Sequence, residues 1–448
     1  MRLRENYGGV PRGLPLGYEV RTGVELWSTW EDMVVTIAGP RTGKTTSYSI
    51  PHIMAAPGPV IATSNKRDIV DATRGPRSER GRVDIYDPQQ VYGVAPEFSW
   101  PPLSYVTDEV TAKKMAAHFA AGSRELGAHT DAFFDPAGQD LLTGFMLAAS
   151  MANYDIIQVP TWLAQPGNQE PVEILRHYKF DVLADILLSH VTGPSDQRGG
   201  IYGTAQTMTT CLSTRTILPW IVCSDDRPVF DPDLFVRSGG TLYSISREGQ
   251  GSTGPLVTAL TVAVVEAAER YANQCVGGRL PTPLVGALDE LANICRWGDL
   301  PDQYSHFGSK GIILNAILQN WAQGELVWGE KGMWKLWAAA NIAIYGGGVK
   351  ERAFTENMAA AIGEYERLDV SDSRSESGRS VSRSHHMRSI MPASDLESLP
   401  RGRSVIFASG ARPCLVKTRP WMNEPYAPDI RASIDTYGPK AVKRKVHQ

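Results

Sequence analysis

The sequence predicts an α/β protein in which a mostly parallel sheet flanked by helices is interrupted by an all-helical insertion. Three observations carry this. Short apolar runs bounded by Gly, Pro and polar residues recur in both halves of the chain. One of them, Met33-Val-Val-Thr-Ile37, leads directly into a Gly-rich loop and then a helix. Between about residues 108 and 235 the apolar spacing becomes three and four, the mark of amphipathic helices.

Residues 1–32 read as a lead-in, with Trp27 and Trp30 packing ahead of the first core strand at 33–38. A helix follows from Gly43, and Pro51 is expected to kink it or end its first half, because proline lacks the N–H and crowds the preceding turn. Pro59-Val-Ile-Ala-Thr63 and Arg82-Val-Asp-Ile-Tyr86 read as buried strands. Ala112–Ala121, Ala137–Met151 and Val172–Leu188 carry helical spacing, and the Thr-rich stretch Gly199–Leu218 suggests another helix. Sheet character returns at Thr241–Ile245. A long helix over 255–273 precedes strands at 283–288, Gly311–Ile317 and Asn341–Tyr345, and Ser404–Ala408 closes the core.

The expected units are therefore 1–107 and 236–425, together forming the nucleotide-binding core, with 108–235 as the insertion and 426–448 as a basic tail. Residues 371–389 are dominated by Ser and Arg and read as a mobile loop. Composition favours a solvated linker there over a DNA-contacting loop using Arg374, Arg379, Arg383 and Arg388. The charge run Lys440, Lys443, Arg444 and Lys445 reads as a solvated terminus.

Chemistry concentrates in two motifs. The stretch Ala38-Gly39-Pro40-Arg41-Thr42-Gly43-Lys44-Thr45 has the form of a phosphate cradle. Backbone N–H groups of such a loop, together with the following helix N-terminus, form a concave anion site. Lys44 would reach the β/γ-phosphates, the Thr45 hydroxyl would ligate Mg2+, and Thr46 would complete the nucleotide contacts. Ala38 replaces the first glycine of this pattern, at a position that needs small size more than a positive φ. The partner motif is Pro283-Leu-Val-Gly-Ala-Leu-Asp289-Glu290, a buried strand ending in two carboxylates. Asp289 would hold the metal, and Glu290 would act as general base on the attacking water. Read alone, the first motif could be a Gly/Pro turn and the second an acidic helix cap. On one chain they point to an ATP- and Mg2+-using P-loop site.

Composition sets limits. A 448-residue chain with 42% hydrophobic and 21% charged residues has the make-up of a globular protein of two or three structural units. A net charge of −3 leaves DNA binding to local basic loops rather than to overall charge. The five cysteines at 211, 223, 275, 295 and 414 have no metal-ligand spacing and suggest reduced thiols. The longest apolar windows, near 141–151 and 256–268, are too short to span a membrane.

The chain resembles the TraG/TraD-type coupling ATPases of conjugative type IV secretion systems. The carriers are Ile50-Pro51 after the phosphate loop and Lys66-Arg-Asp68 after the next strand. Further matches are Phe133-Phe134-Asp-Pro-Ala137 through Leu142, Leu288-Asp289-Glu290-Leu-Ala-Asn293, Gln319 to Gln323 with Trp328-Gly329-Glu330, and Met391-Pro392 through Pro413. The resemblance implies a RecA-like motor domain with an all-alpha insertion, assembled as a homo-hexameric ring with nucleotide at the subunit interfaces. It implies pumping of single-stranded DNA with its relaxase toward a secretion channel, with the insertion receiving relaxosome proteins. The expected location is the cytoplasmic face of the cell membrane. The family's N-terminal transmembrane pair is absent from this sequence, so membrane contact is expected through a partner or a further segment.

Gln319 would lie near the γ-phosphate and orient water or report hydrolysis; the case for Gln323 is weaker. The family's trans-acting Arg has no counterpart between Asp302 and Gln319, leaving Lys310, Arg296 and Arg352 as stand-ins. Two other readings stand beside the motor: a nucleotide-gated recruitment platform for relaxosome or effector proteins, and a general double-stranded DNA translocase.

Overall fold

The computed structural model describes residues 12–123, 127, 131–249, 252–375 and 378–439, with only the backbone described at 371–375 and 378–382. In chain order the strands are β1 (Pro15–Glu19), β2 (Glu25–Trp27), β3 (Val34–Ile37), β4 (Val60–Ser64), β5 (Val83–Tyr86), β6 (Thr241–Ile245) and β7 (Leu284–Leu288). They continue with β8 (Ile312–Leu318), β9 (Ile342–Tyr345), β10 (Glu364–Ser375), β11 (Gly378–Ser389), β12 (Arg403–Ala408) and β13 (Cys414–Lys417). Eleven of them form one sheet in the order β2-β1-β13-β12-β9-β3-β8-β7-β4-β6-β5. The seven from β9 to β5 run parallel, and β12, β13, β1 and β2 extend them antiparallel.

The parallel strands are near-continuous apolar runs because helices cover both faces. Alternation still sorts their side chains. Val35, Ile37 and Ile61 enter one core, while Val34, Val60, Ala62, Val285, Ala287, Ile313 and Ile344 enter the other. Gly286 matters in this packing, since a Cβ there would stand 2.4 Å from Leu314 Cδ2. One polar residue interrupts β8. Asn315 is fully buried and is satisfied by Thr36 Oγ1, which donates to its Oδ1 at 2.9 Å, and by a 3.1 Å contact between its Nδ2 and His52 Nδ1. Burial holds the His52 imidazole down to about 4, and its Nε2 hydrogen-bonds the Pro15 carbonyl.

Between β5 and β6 the described elements are helical, from Glu109–Ser123 to Pro232–Ser238, apart from one isolated bridge between Ser99 and Val229. This block shares its core with one face of the sheet: Phe119, Phe145, Trp162 and Trp220 belong to the same buried cluster as Met33 and Val35. The Gly254–Gln274 helix lies between them and packs on Glu109–Ser123.

Several expectations are corrected. The lead-in contributes β1 and β2 to the sheet, where Arg419 stacks over the Trp27 and Tyr18 rings. The stretch after the phosphate loop changes helix type where Pro51 is expected to break it. It runs as a π-turn, Thr45–Ser49, into an α-helix, Ile50–Ala55, whose first turn tolerates proline. Val172–Leu188 splits into Glu170–His177 and Asp181–Thr192, with Lys179 at φ 66° between them. Gly199–Leu218 is not one helix: Ser195–Met208 is followed by a 3-10 turn, Thr210–Ser213. The described residues 371–375 and 378–389 of the expected loop lie in β10 and β11, which pair as a separate antiparallel ribbon. The expected tail begins with a docked helix, Ala427–Tyr437, whose buried Ile430 packs with Ile50, Met54 and Ala72. Lys440, Lys443, Arg444 and Lys445 lie outside the described residues.

Candidate nucleotide site

The site sits at the C-terminal ends of β3, β7 and β8, three adjacent parallel strands. This is where open α/β sheets leave a crevice for ligands. After β3, the Ala38 N–H bonds to the Leu318 carbonyl at 3.1 Å and the Gly39 N–H to the Gly347 carbonyl at 2.9 Å. The loop is tied in this way to the ends of both neighbouring strands. Ala38 has no positive φ, and Gly346 makes room for its methyl: a Cβ on Gly346 would stand 2.7 Å from that carbon. Gly39 admits no side chain, because its Cβ would fall 2.1 Å from the Gly348 oxygen. Arg41 at φ 63° and Gly43 at φ 95° curl the backbone, and Thr42 Oγ1 donates to the Gly39 carbonyl at 2.8 Å. Pro40 and Arg41 are exposed at the loop tip.

The helix start then aims Lys44 and Thr45 at the end of β7. Lys44 Nζ lies 2.6 Å from Glu290 Oε1, and Thr45 Oγ1 donates to Asp289 Oδ2 at 3.0 Å. Ser49 Oγ reaches the same Asp289 oxygen at 3.3 Å, and Thr63 Oγ1 on β4 donates to the Asp289 carbonyl at 2.8 Å. Burial pushes the Asp289 carboxyl up to about 6, against the opposing pull of Lys44. Glu290 occupies the left-handed region, φ 57° and ψ 36°, at the start of the Leu291–Ile294 helix. A non-glycine residue there costs on the order of 1 kcal/mol.

Glu290 is held on both oxygens. Besides Lys44 on Oε1, Oε2 accepts from Gln319 Nε2 at 2.7 Å and from Asn293 Nδ2 at 3.1 Å. Gln319 is the residue immediately after β8, so all three strands contribute. Thr46 faces the opposite way, donating to the Gly43 carbonyl at 3.0 Å. Gln323 is not brought here: it starts the Trp321–Ala339 helix, where its N–H is capped by Asn320 Oδ1 at 2.9 Å. The three candidate finger residues make contacts elsewhere. Lys310 contacts Asn273, Arg296 donates to the Ala292 and Ala121 carbonyls, and Arg352 pairs with Glu356.

Among the described residues no cluster of three or more His, Cys, Asp or Glu could hold a metal. One carboxylate and one hydroxyl, Asp289 and Thr45, fit Mg2+ all the same, since that ion keeps several waters and takes its other oxygens from substrate phosphates. Site residues with no motif of their own join from elsewhere. Glu248, just beyond β6, accepts from Asn293 Nδ2 at 2.8 Å and from Asn65 Nδ2 at 2.9 Å. Asn293 stands three residues after Glu290, a spacing that places both on one helical face, and it closes the Leu288–Asn293 stretch that carries the resemblance.

Residues 283–401 match the family model described as the TraM recognition site of TraD and TraG. Over this segment, about a quarter of the chain, the sequence is similar to TraD and TraG. The segment runs from β7 through Gln319 and the β10–β11 ribbon to the turn before β12, and lies outside the helical block. No curated protein sequence matches the chain. Among solved structures it is similar to the bacterial conjugative coupling protein TrwBdeltaN70 in its trigonal form with sulphate: 15% identity, 93% of this chain and 90% of that one covered, TM-score 0.65. TrwB in complex with ADP and Mg2+ matches at 16% identity over 93% and 90%, with TM-score 0.62. VirB4 of Thermoanaerobacter pseudethanolicus matches at 13% identity over 94% and 99%, with TM-score 0.53. At these identities the likeness establishes the fold alone: a RecA-like core, a mostly parallel sheet flanked by helices, with a helical insert. Among the described residues no helix is long and apolar enough to cross a membrane.

Proposed function

We propose that this protein is an ATP-hydrolysing conjugative coupling protein, one that moves single-stranded DNA with its bound relaxase toward a type IV secretion channel. The observation that carries the nucleotide half is the convergence of Lys44, Thr45, Asp289, Glu290 and Gln319 at the ends of three neighbouring strands. The TraG/TraD-type segment supports the conjugative half.

The chain's residues divide the work as follows. The loop N–H groups from Arg41 to Thr45 receive the phosphates, and Lys44 leaves Glu290 to pair with them. Thr45 and Asp289 hold Mg2+, which when bound screens phosphate charge and orients the reacting group. Glu290, freed on Oε1, takes the proton of the attacking water. Gln319 and Asn293 keep its other oxygen in place, so the base is oriented before substrate arrives. Homo-hexameric assembly, with nucleotide between subunits, and location at the inner face of the membrane belong to the same reading. Its division of the chain is a core of 1–107 and 236–425 around the insertion 108–235. In this reading recognition of a relaxosome protein belongs to 283–401 rather than to that insertion, which the description of the family model matched there supports.

The engaged state of Lys310, Arg296 and Arg352 favours a second reading, a nucleotide-gated recruitment platform with negligible turnover. One experiment separates the two: ATP hydrolysis measured against protein concentration, with and without single-stranded DNA. The motor reading expects a steep concentration dependence and DNA stimulation. Nucleotide binding without turnover under any of these conditions supports the platform.

A further inference from the structure

Arg401 lies beside the phosphate loop and belongs to neither sequence motif. It stands in the turn between the Ala393–Glu397 helix and β12, and this turn is fixed from two sides. Leu399 packs against the loop after β9, its Cβ 3.1 Å from where a Cβ would stand on Gly347. The Gly402 carbonyl accepts from the Thr418 N–H at 3.1 Å, and Thr418 Oγ1 in turn contacts Ser47 Oγ at 3.3 Å on the phosphate-loop helix. The turn thereby delivers Arg401 Nε to 3.9 Å from the Cβ position of Gly43. Its guanidinium makes no hydrogen bond or ion pair with another described residue, unlike Lys44, which is neutralised by Glu290.

The side of the loop on which it stands is informative. Lys44 and Thr45 point to Glu290 and Asp289, where the terminal phosphate and the metal belong. The Gly43 Cβ position is instead shared by Thr46 Oγ1 at 3.3 Å, Ser47 Oγ at 3.7 Å and Arg401. Thr46 and Ser47 bond the Gly43 carbonyl and Thr418 Oγ1 respectively, whereas Lys44 and Thr45 bond the carboxylates, so we infer that this face lies off the reacting phosphate. A planar, permanently charged fork suits a phosphate oxygen pair there.

We propose that Arg401 is a nucleotide-binding residue of the same subunit, contacting the inner phosphates of a nucleoside di- or triphosphate held on the Ala38–Thr45 loop. This rests on the nucleotide-site reading above. Because the contact lies off the reacting phosphate, it is the same in ground and transition states and acts on affinity rather than turnover.

The test is binding of fluorescently labelled ADP and of a non-hydrolysable ATP analogue, with Mg2+, to the full chain and to Arg401→Ala and Arg401→Lys, alongside steady-state hydrolysis. Arg401 is exposed, so the nucleotide-free melting temperature of each variant is expected to match wild type. The expected result is a roughly tenfold loss of affinity for both nucleotides in Arg401→Ala. KM should rise with kcat nearly unchanged, and Arg401→Lys should partly restore binding. Wild-type affinity in Arg401→Ala overturns the inference alone, and a fall in kcat without a change in ADP affinity also overturns it, in favour of a transition-state role. If wild type itself binds neither nucleotide, the nucleotide-site reading falls and takes this inference with it.

Discussion

The carboxylate end of β7 and the β10–β11 ribbon are opposite solutions to presenting charged groups. At β7, Asp289 and Glu290 are nearly buried; the Asp289 carboxylate is bound by Thr45 and Ser49 from the turn after the phosphate loop, and that of Glu290 by Lys44, Asn293 and Gln319 from three parts of the chain. In the ribbon, the backbone ladder pairs Glu364 with Ser389 through to Ser375 with Gly378, while the described side chains lie largely in solvent. Leu368, Val370 and Met387 are each about half exposed or more. A two-stranded ribbon alone is marginal in water, because it buries too little to offset the ordering of its backbone. The lesson is that charge is expensive where it is buried and must be held in one geometry, which suits chemistry. Where it is solvated it costs little and specifies little.

The largest expected effect separates the two regions outright. Glu290→Gln keeps the shape and the amide-compatible contacts but removes the base, so ATP turnover is expected to fall by about 10²–10⁴-fold. Replacing the exposed Arg383 and Arg388 by Ala should leave DNA-free turnover at the wild-type level. Equal losses from both changes would erase the distinction.

Next in size is the support beneath the site. His52 is fully buried with its pKa lowered to about 4, and that of His118 is likewise about 4, its Nε2 buried without a hydrogen-bond partner among the described residues. Both are neutral in the fold and protonate more readily once unfolded. Their contribution is therefore complete above about pH 6.5 and is lost as pH falls toward 4, at up to about 3 kcal/mol each. Asp289 has the opposite sign. Its raised value near 6 means that its contribution is present in acid and is lost as pH rises through 6. Urea unfolding at pH 4.5 and 7.5 should show His52→Gln less acid-sensitive than wild type; an unchanged pH slope would contradict the buried neutral imidazole.

The smallest effect belongs to the ribbon. Arg388 pairs with Asp369 at 3.2 Å across the strands, both partly solvated. A double-mutant cycle on this pair is expected to give below about 1 kcal/mol. A larger coupling would mean that the ribbon is held by its side chains.

The same contrast explains what could be read in advance. The parallel strands were legible because burial on both faces writes continuous apolar runs, and the Gly-Lys-Thr and Asp-Glu motifs were legible because their chemistry is local. The ribbon was not, since Ser and Arg on both faces leave no alternation to detect. Neither were β1 and β2: Tyr18 pairs with Lys417, across almost the whole chain. Arg401 and Glu248 reach the site from turns fixed by distant packing, which no spacing reveals. The Ala427–Tyr437 helix did carry a signal, Ile430 and Ile434 four residues apart, beside the charge run that dominates the terminus.

The most direct test of the central claim is ATP hydrolysis by the full chain with single-stranded DNA, compared across wild type, Lys44→Ala and Glu290→Gln, with ATP binding followed in parallel. The account predicts that wild type turns over, that Lys44→Ala loses both binding and turnover, and that Glu290→Gln binds ATP yet hydrolyses it at least about 100-fold more slowly. Wild-type turnover in both variants would contradict it.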